Sequence, residues 1–343
     1  MTTTIKARAP LRLGLAGGGT DVSPFCDLHG GAVLNATIDR YAYAIIRTLD
    51  EPVVRFIASD QERSCTLPLA ARFELDGTLN LHKAVYNTVV QLFNDGKPIG
   101  LELTSFCDAP AGSGLGSSST VVVAMLKAFS ELLNVPIDDY SLAHLAFRIE
   151  RVDCALQGGR QDQYAATFGG FNFMEFYAAD RAVINPLRIK NWILCELEAS
   201  LVLFYTGVSR ESAKIIAEQS ANVTDKKVDA TAAMHAMKDE ALRMKECILK
   251  ADFDGLVESM QIGWENKKRS ASTVSTPLID EIYQAACSAG ARAGKVSGAG
   301  GGGFMMFFAP VERRMDVIRA LGRYAGVVSN CHFTKNGAQA WKQ

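Results

Sequence analysis

No stretch of this 343-residue chain approaches the roughly 18 consecutive apolar residues of a membrane-crossing helix, which argues against a membrane-spanning protein. The opening MTTTIKARAP lacks the long apolar segment of a secretory signal. An excess of charge of either sign is also missing, with 36 basic residues against 37 acidic ones. That balance gives no footprint for nucleic acid or a membrane surface, so an anionic substrate must be met by local groups. The eight cysteines include no C-x-x-C pair and are widely scattered. The spacing argues against a metal cluster and a disulfide framework, and the expectation is reduced thiols in a cytoplasmic protein. Internal repeats and long low-complexity segments are absent too.

What is present is a 48% hydrophobic chain, long enough for two ordinary cores. IKARAPLRLGLAG alternates with period two, which predicts a strand with Ile5, Ala7, Ala9, Leu11, Leu13 and Leu15 on one face. Arg8 and Arg12 then fall on the other face, and Pro10 marks an edge or a break. AVLNATIDRYAYAIIRTL, VVRFIAS and LELTSF read as further strands. TVVVAMLKAFSELLNV and DDYSLAHLAFRIERVDCAL read as helices, the second with an aspartate N-cap. Past residue 190, WILCELE and LVLFYTG look like strands, residues 210 to 270 like helices, and PLIDEIYQAACSAG like a helix closed by Gly290. Strand and helix runs do not alternate strictly, so the fold class is α+β. A boundary near residue 188 separates an N-terminal domain (1–188) from a C-terminal one (189–343).

PAGSGLGSSST, residues 110 to 120, joins a strand to a helix start. Gly112, Gly114 and Gly116 permit close backbone approach, and the helix N-terminus offers unpaired N–H groups to an anion. A Walker A loop would need a lysine after Gly116, and a dinucleotide fingerprint a later third glycine; neither is present. Taken alone, the segment is open to reading as a serine-capped helix after a flexible loop.

Together with RAPLRLGLAGGGTD and KVSGAGGGGF in the same order along the chain, the segment resembles the three motifs of the GHMP kinases. The resemblance implies an N-terminal α+β domain with a left-handed βαβ crossover and a ferredoxin-like C-terminal domain. It implies ATP and Mg2+, with the nucleotide phosphates on Gly112, Ser113, Gly114, Leu115, Gly116, Ser117, Ser118 and Ser119. Glu150 lies on the apolar stripe Ala143, Ala146, Phe147, Glu150, Cys154 of its helix, where a carboxylate needs a partner. A salt-bridged core glutamate is one explanation; the resemblance makes Glu150 a magnesium ligand beside Ser118. Asp162, in GGRQDQYAA, is open to being a helix cap or a base, and the resemblance makes it the catalytic base. Arg12 stands where many members carry lysine, as a second catalytic group.

The GGGTD form of the first motif resembles the anomeric sugar kinases of the superfamily, nearest to the branch acting on a heptose 7-phosphate. That implies a sugar phosphate as partner substrate, a C1 phosphate as product, and a role toward GDP-activated heptose for surface polysaccharide. Gly18, Gly19, Thr20 and Asp21 would hold the sugar, although an Asx-turn also explains Asp21. Lys83, Arg160 and Arg210 are candidates for the substrate's own phosphate, against the alternative of solvated surface cations. Ser297 and Gly300 of the third motif would shape the substrate site. An L-fucose kinase, a decarboxylase of the same fold and a non-catalytic sugar sensor are the competing functions. A homodimer is left open.

Overall fold

A computed structural model describes residues 3–208 and 212–343. The first sheet holds β1 (Thr4–Ala16), β2 (Gly31–Thr48), β3 (Val53–Ala58), β4 (Arg63–Pro68), β5 (Leu101–Cys107), β6 (Phe171–Phe176) and β7 (Ala182–Pro186). The second holds β8 (Leu201–Tyr205), β9 (Ala293–Val296), β10 (Phe304–Phe308) and β11 (Val327–Ser329). β12 (Gln339–Lys342) returns to the first sheet beside β1, although it lies beyond the boundary expected at residue 188. The helices are α1 (Phe25–His29), α2 (Asn80–Phe93), α3 (Ser117–Leu132), α4 (Asp139–Arg148), α5 (Gln161–Phe168) and α6 (Asn191–Ser200). They continue as α7 (Ser212–Thr224), α8 (Val228–Lys250), α9 (Phe253–Ser270), α10 (Pro277–Ser288) and α11 (Arg314–Leu321).

The second sheet is antiparallel in the order β11-β8-β10-β9. Its strands follow the β-α-β-β-α-β succession of a ferredoxin-like unit. WILCELE, expected as a strand, is the body of α6. Its Ile193 and Leu197, four residues apart, are the buried pair, so helical spacing governs a segment short enough to fit either pattern.

β1 does not keep one apolar face. Ile5, Ala7 and Ala9 share a core with Val122, Met125 and Phe129 of α3. Leu11, Leu13 and Leu15 share another with Met244, Met260 and Met306. The change falls at a register irregularity against β2, where Pro10 pairs with Tyr41 but Arg12 with Thr37. Such an irregularity re-aims the side chains that follow it. Arg12 is thereby turned from the Arg8 face toward α3 and α5, where it bonds Gly114 and Asp162. Pro10 thus marks a break inside a strand that pairs on both sides, with β12 along Ile5–Arg8 and with β2 along its length.

The two glycine-rich loops interlock backbone to backbone. A Cβ on Gly114, whose φ is +82°, would lie 2.4 Å from the Ser297 carbonyl oxygen, and one on Gly298 would lie 2.8 Å from Gly114 Cα. Neither neighbour is a side chain that could swing away. Gly114→Ala should therefore lower unfolding stability by at least about 2 kcal/mol, the range of overpacking at a tight site. Urea denaturation would measure it, and a loss under half that size would mean that the loops can separate.

Candidate functional site

The segment between β5 and α3 ends with Gly116, at φ +79°, as the helix N-cap. Gly112, Gly114, Gly116, Ser117, Ser118 and Ser119 line a cavity of about 260 Å³. The start of a helix of this length faces that cavity with unpaired N–H groups and the positive end of its dipole. Ser113 and Leu115 are fully buried and do not line it. They act through their carbonyls, which accept from Phe304 N and Arg12 N respectively. The expected eight-residue cradle is therefore six residues that face the cavity and two that anchor it.

Glu150 is completely buried, as its place on the apolar stripe requires. The expected continuous helix ends at Arg148, and Glu150 sits in a π-helical turn, Ile149–Asp153. Such turns recur where a helix must re-aim a functional side chain. Its carboxylate accepts from Ser118 Oγ at 2.8 Å and from Gln163 Nε2, which also donates to Ser119 Oγ at 3.0 Å. Arg151 stands 3.7 Å away. Among the described residues no three His, Cys, Asp or Glu side chains gather as a metal cluster. One carboxylate beside one hydroxyl nevertheless fits magnesium, a hard ion usually held by one or two carboxylates plus substrate phosphates.

Asp162 lies in the first turn of α5, whose N-cap position is Arg160. Its Oδ1 accepts from Arg12 Nε at 2.7 Å and forms an ion pair with Nη2 at 2.6 Å, while Arg12 Nη1 donates to Gly114 O at 2.6 Å. Oδ2 points toward the phosphate loop, 3.2 Å from where a Cβ on Gly116 would stand. Arg12 is nearly fully buried and the Asp162 side chain keeps 21% exposure, so the carboxylate remains reachable from the cavity.

Gly18, Gly19 and Asp21 line the same cavity; Thr20 does not. The Thr20 hydroxyl donates to Gly17 O and Ala32 O and accepts from Ala32 N, stapling the loop to β2. Asp21, expected to take sugar hydroxyls, instead accepts from Gly19 N, Arg160 N, Gln161 N and Gln161 Nε2 at 2.9–3.1 Å. Four donors on two oxygens make it a clasp between the first motif and the start of α5. Its Gly19 bond is the local turn interaction that the sequence left open.

Several expected substrate residues lie elsewhere. Lys83 is buried on α2 and pairs with Asp76 at 2.6 Å, away from the cavity. Arg160 turns its guanidinium to Asp27, Asp180 and Tyr177 O, because its backbone N–H is the part that the Asp21 clasp needs. Ser297 donates to Gly114 O at 2.9 Å and Gly300 abuts Val274; both are packing positions outside the cavity wall. Arg210 lies outside the described residues.

Two lysines that the sequence reading passed over line the cavity instead. Lys267 Nζ donates to Gly18 O at 2.8 Å, and Lys295 Nζ to Gly14 O and Leu15 O at 2.9 and 3.0 Å. Burial pushes Lys267 down to about 8, with Asp21 opposing and Arg12 reinforcing the fall. Lys295 is pushed well below the usual lysine range by burial, then by Lys267 and Arg12. Lys267 was legible: Val257, Met260, Trp264 and Lys267 follow helical spacing and are all buried, the same pattern that exposes Glu150. Lys295 was not, since β9 is four residues long and buried throughout. A second cavity of about 370 Å³ shares Gly112, Ser117, Ser118 and Leu156 with the first and extends toward Asn80 and Ser105.

Residues 80–170 match the model of the GHMP kinases N terminal domain, and residues 244–326 that of the GHMP kinases C terminal domain. The chain is 44% identical over 339 residues to D-glycero-alpha-D-manno-heptose 7-phosphate kinase of Campylobacter jejuni subsp. jejuni, covering 99% of each. It is 25% identical over 327 residues to L-fucokinase/L-fucose-1-P guanylyltransferase of Bacteroides fragilis, covering 88% of this chain and 34% of that one. A solved D-glycero-D-manno-heptose 1-phosphate kinase from Bacteroides thetaiotaomicron superposes with a TM-score of 0.83 at 41% identity, covering 99% of each chain.

The depressed Lys267 has a measurable consequence for stability. Between about pH 8 and 10.5 the unfolded chain keeps a proton that the folded one releases, so stability rises with pH across that window. Lys267→Met removes the effect. Its stability relative to the parent chain should be highest below pH 8 and should fall steadily as pH rises toward 10. Urea midpoints at four pH values would show it; a constant difference would mean an ordinary lysine.

Proposed function

The chain belongs to the GHMP kinase family, and on that premise we propose that it transfers the γ-phosphate of ATP to the anomeric C1 hydroxyl of a sugar phosphate, D-glycero-D-manno-heptose 7-phosphate. The observation that carries this is the placing of Asp162 Oδ2 beside Gly116, so that a carboxylate faces a helix-start phosphate cradle within one cavity. The 44% identity to the heptose 7-phosphate kinase supports the choice of acceptor.

The second cavity would take the nucleotide base and ribose, with the phosphates passing across Gly112 to Ser119 into the first. Glu150 and Ser118 would hold Mg2+, which when bound neutralises charge on the transferred phosphate. Asp162 takes the proton from the C1 hydroxyl as the new O1–P bond forms and the bond from phosphorus to the ADP oxygen breaks. Phosphoryl transfer asks mainly for alignment and charge compensation. Arg12 serves both needs: its hydrogen bond and ion pair with Oδ1 leave Oδ2 free, and its bond to Gly114 O ties the pair to the loop. On this reading residues 1–188 supply the cradle and base, and residues 189–343 close the acceptor side with Lys267 and Lys295.

ADP release measured against heptose 7-phosphate, mannose, L-fucose and galactose tests the proposal. Heptose 7-phosphate should be turned over best; release with none of them would favour a sugar sensor. Asp162→Asn should lower kcat by about 10²–10⁴-fold while leaving ATP affinity within a few-fold, the scale of a lost general base. An unchanged kcat would remove Asp162 from that role.

A further inference from the structure

We propose that Lys267 and Gln161 form a donor–acceptor pair that reads a hydroxyl of the acceptor sugar beside the one being phosphorylated. The assignment rests on the first cavity being the acceptor site. Lys267 Nζ has three N–H donors and spends one on Gly18 O. Gln161 is nine-tenths buried, and its Nε2 is fixed on the Asp21 carboxylate, which only accepts hydrogen bonds. Its Oε1 is therefore turned away from Asp21, and it is buried with no hydrogen-bond partner. A buried acceptor left unpaired calls for a ligand that satisfies it.

The two groups border the same stretch of cavity wall, over Gly14 and Gly18. A methyl group on Gly18 would stand 3.5 Å from Gln161 Nε2 and 3.8 Å from Lys267 Nζ, and one on Gly14 would stand 3.8 Å from Gln161 Oε1. Lys267, Gln161, Gly14 and Gly18 all line the cavity. The charged groups facing Lys267 are Asp21, Arg12 and Lys295. Asp21 already holds four donors, so the two spare ammonium protons have no carboxylate left to serve.

The chemistry of the pair selects its ligand. A phosphate would accept from Lys267 but has no proton to give Gln161 Oε1 at its dianionic state. A hydroxyl does both, accepting from the ammonium and donating to the amide oxygen.

The test compares heptose 7-phosphate with its single-deoxy analogues, for the wild-type chain, Lys267→Met and Gly18→Ala. Gly18 is not at positive φ and its nearest new contact would be 3.5 Å, so alanine fills the space without disturbing the loop. The wild type should favour the parent sugar over one analogue by more than tenfold in kcat/KM; discrimination against none of them would overturn the assignment. Both variants should lose at least tenfold on the parent sugar, chiefly through KM, and less than threefold on that analogue. Equal losses on both acceptors would show that Lys267 only pins Gly18, overturning the assignment while leaving the kinase reading intact. A wild-type enzyme active on neither sugar would overturn both. Gly18→Ala decides the matter if the methionine variant does not fold.

Discussion

The carbonyl oxygen of Gly114 accepts two hydrogen bonds, one from Arg12 Nη1 and one from Ser297 Oγ. Those donors lie 102 and 183 residues away in sequence. The single acceptor therefore joins the first strand, the phosphate loop and the loop before β10. Everything else in the site is placed relative to that junction. Arg12 reaches on to Asp162, and the Gly298 and Gly114 backbones close so tightly that a side chain on either would collide with backbone. Ser297 contributes by holding the loop, which is why it is absent from the cavity wall.

Around that junction the carboxylates divide by how they are satisfied. Asp21 is consumed by four N–H donors and works as structure. Glu150 is enclosed by Ser118, Gln163 and Arg151 at the cavity wall. Asp162 alone keeps an oxygen toward both the cradle and the cavity. The cations follow a similar division. Arg160 and Lys83 pair with aspartates away from the cavity, whereas Arg12 pairs with Asp162 on its wall and Lys267 and Lys295 bond backbone carbonyls there. A chain with no overall charge excess thus brings basic groups to the cavity wall alongside Asp21, Glu150 and Asp162, so an anion there is met by local groups.

Much of this was legible in local pattern. The glycine-rich segment before α3, the buried glutamate on an apolar stripe and the aspartate after a glycine break all sit in the cavity or against it. Those signals survive because each is a chemical mismatch with its own neighbourhood: a charge on an apolar face, or glycine where helix should begin. Arg160 misled because its side chain and its backbone have separate duties, and a sequence shows only the side chain. The face assignment of β1 failed for a different reason. A register irregularity depends on the partner strand, so alternation within β1 could not reveal that Arg12 turns away from Arg8.

By itself the sequence determined most element types, WILCELE excepted, together with the α+β class, the glycine-rich strand-to-helix loop and the ordered motifs, because these follow from residue periodicity and backbone permissiveness over a few neighbouring residues. Only the tertiary structure decided which charges reach the cavity. That outcome depends on pairings between segments as distant as Gly18 and Lys267, or Gly14 and Lys295. Helical spacing marks Lys267 as buried but not against what, and β9 is too short to mark Lys295 at all. Contact with a loop about 250 or 280 residues away makes each of them part of the site, and no local pattern carries that pairing.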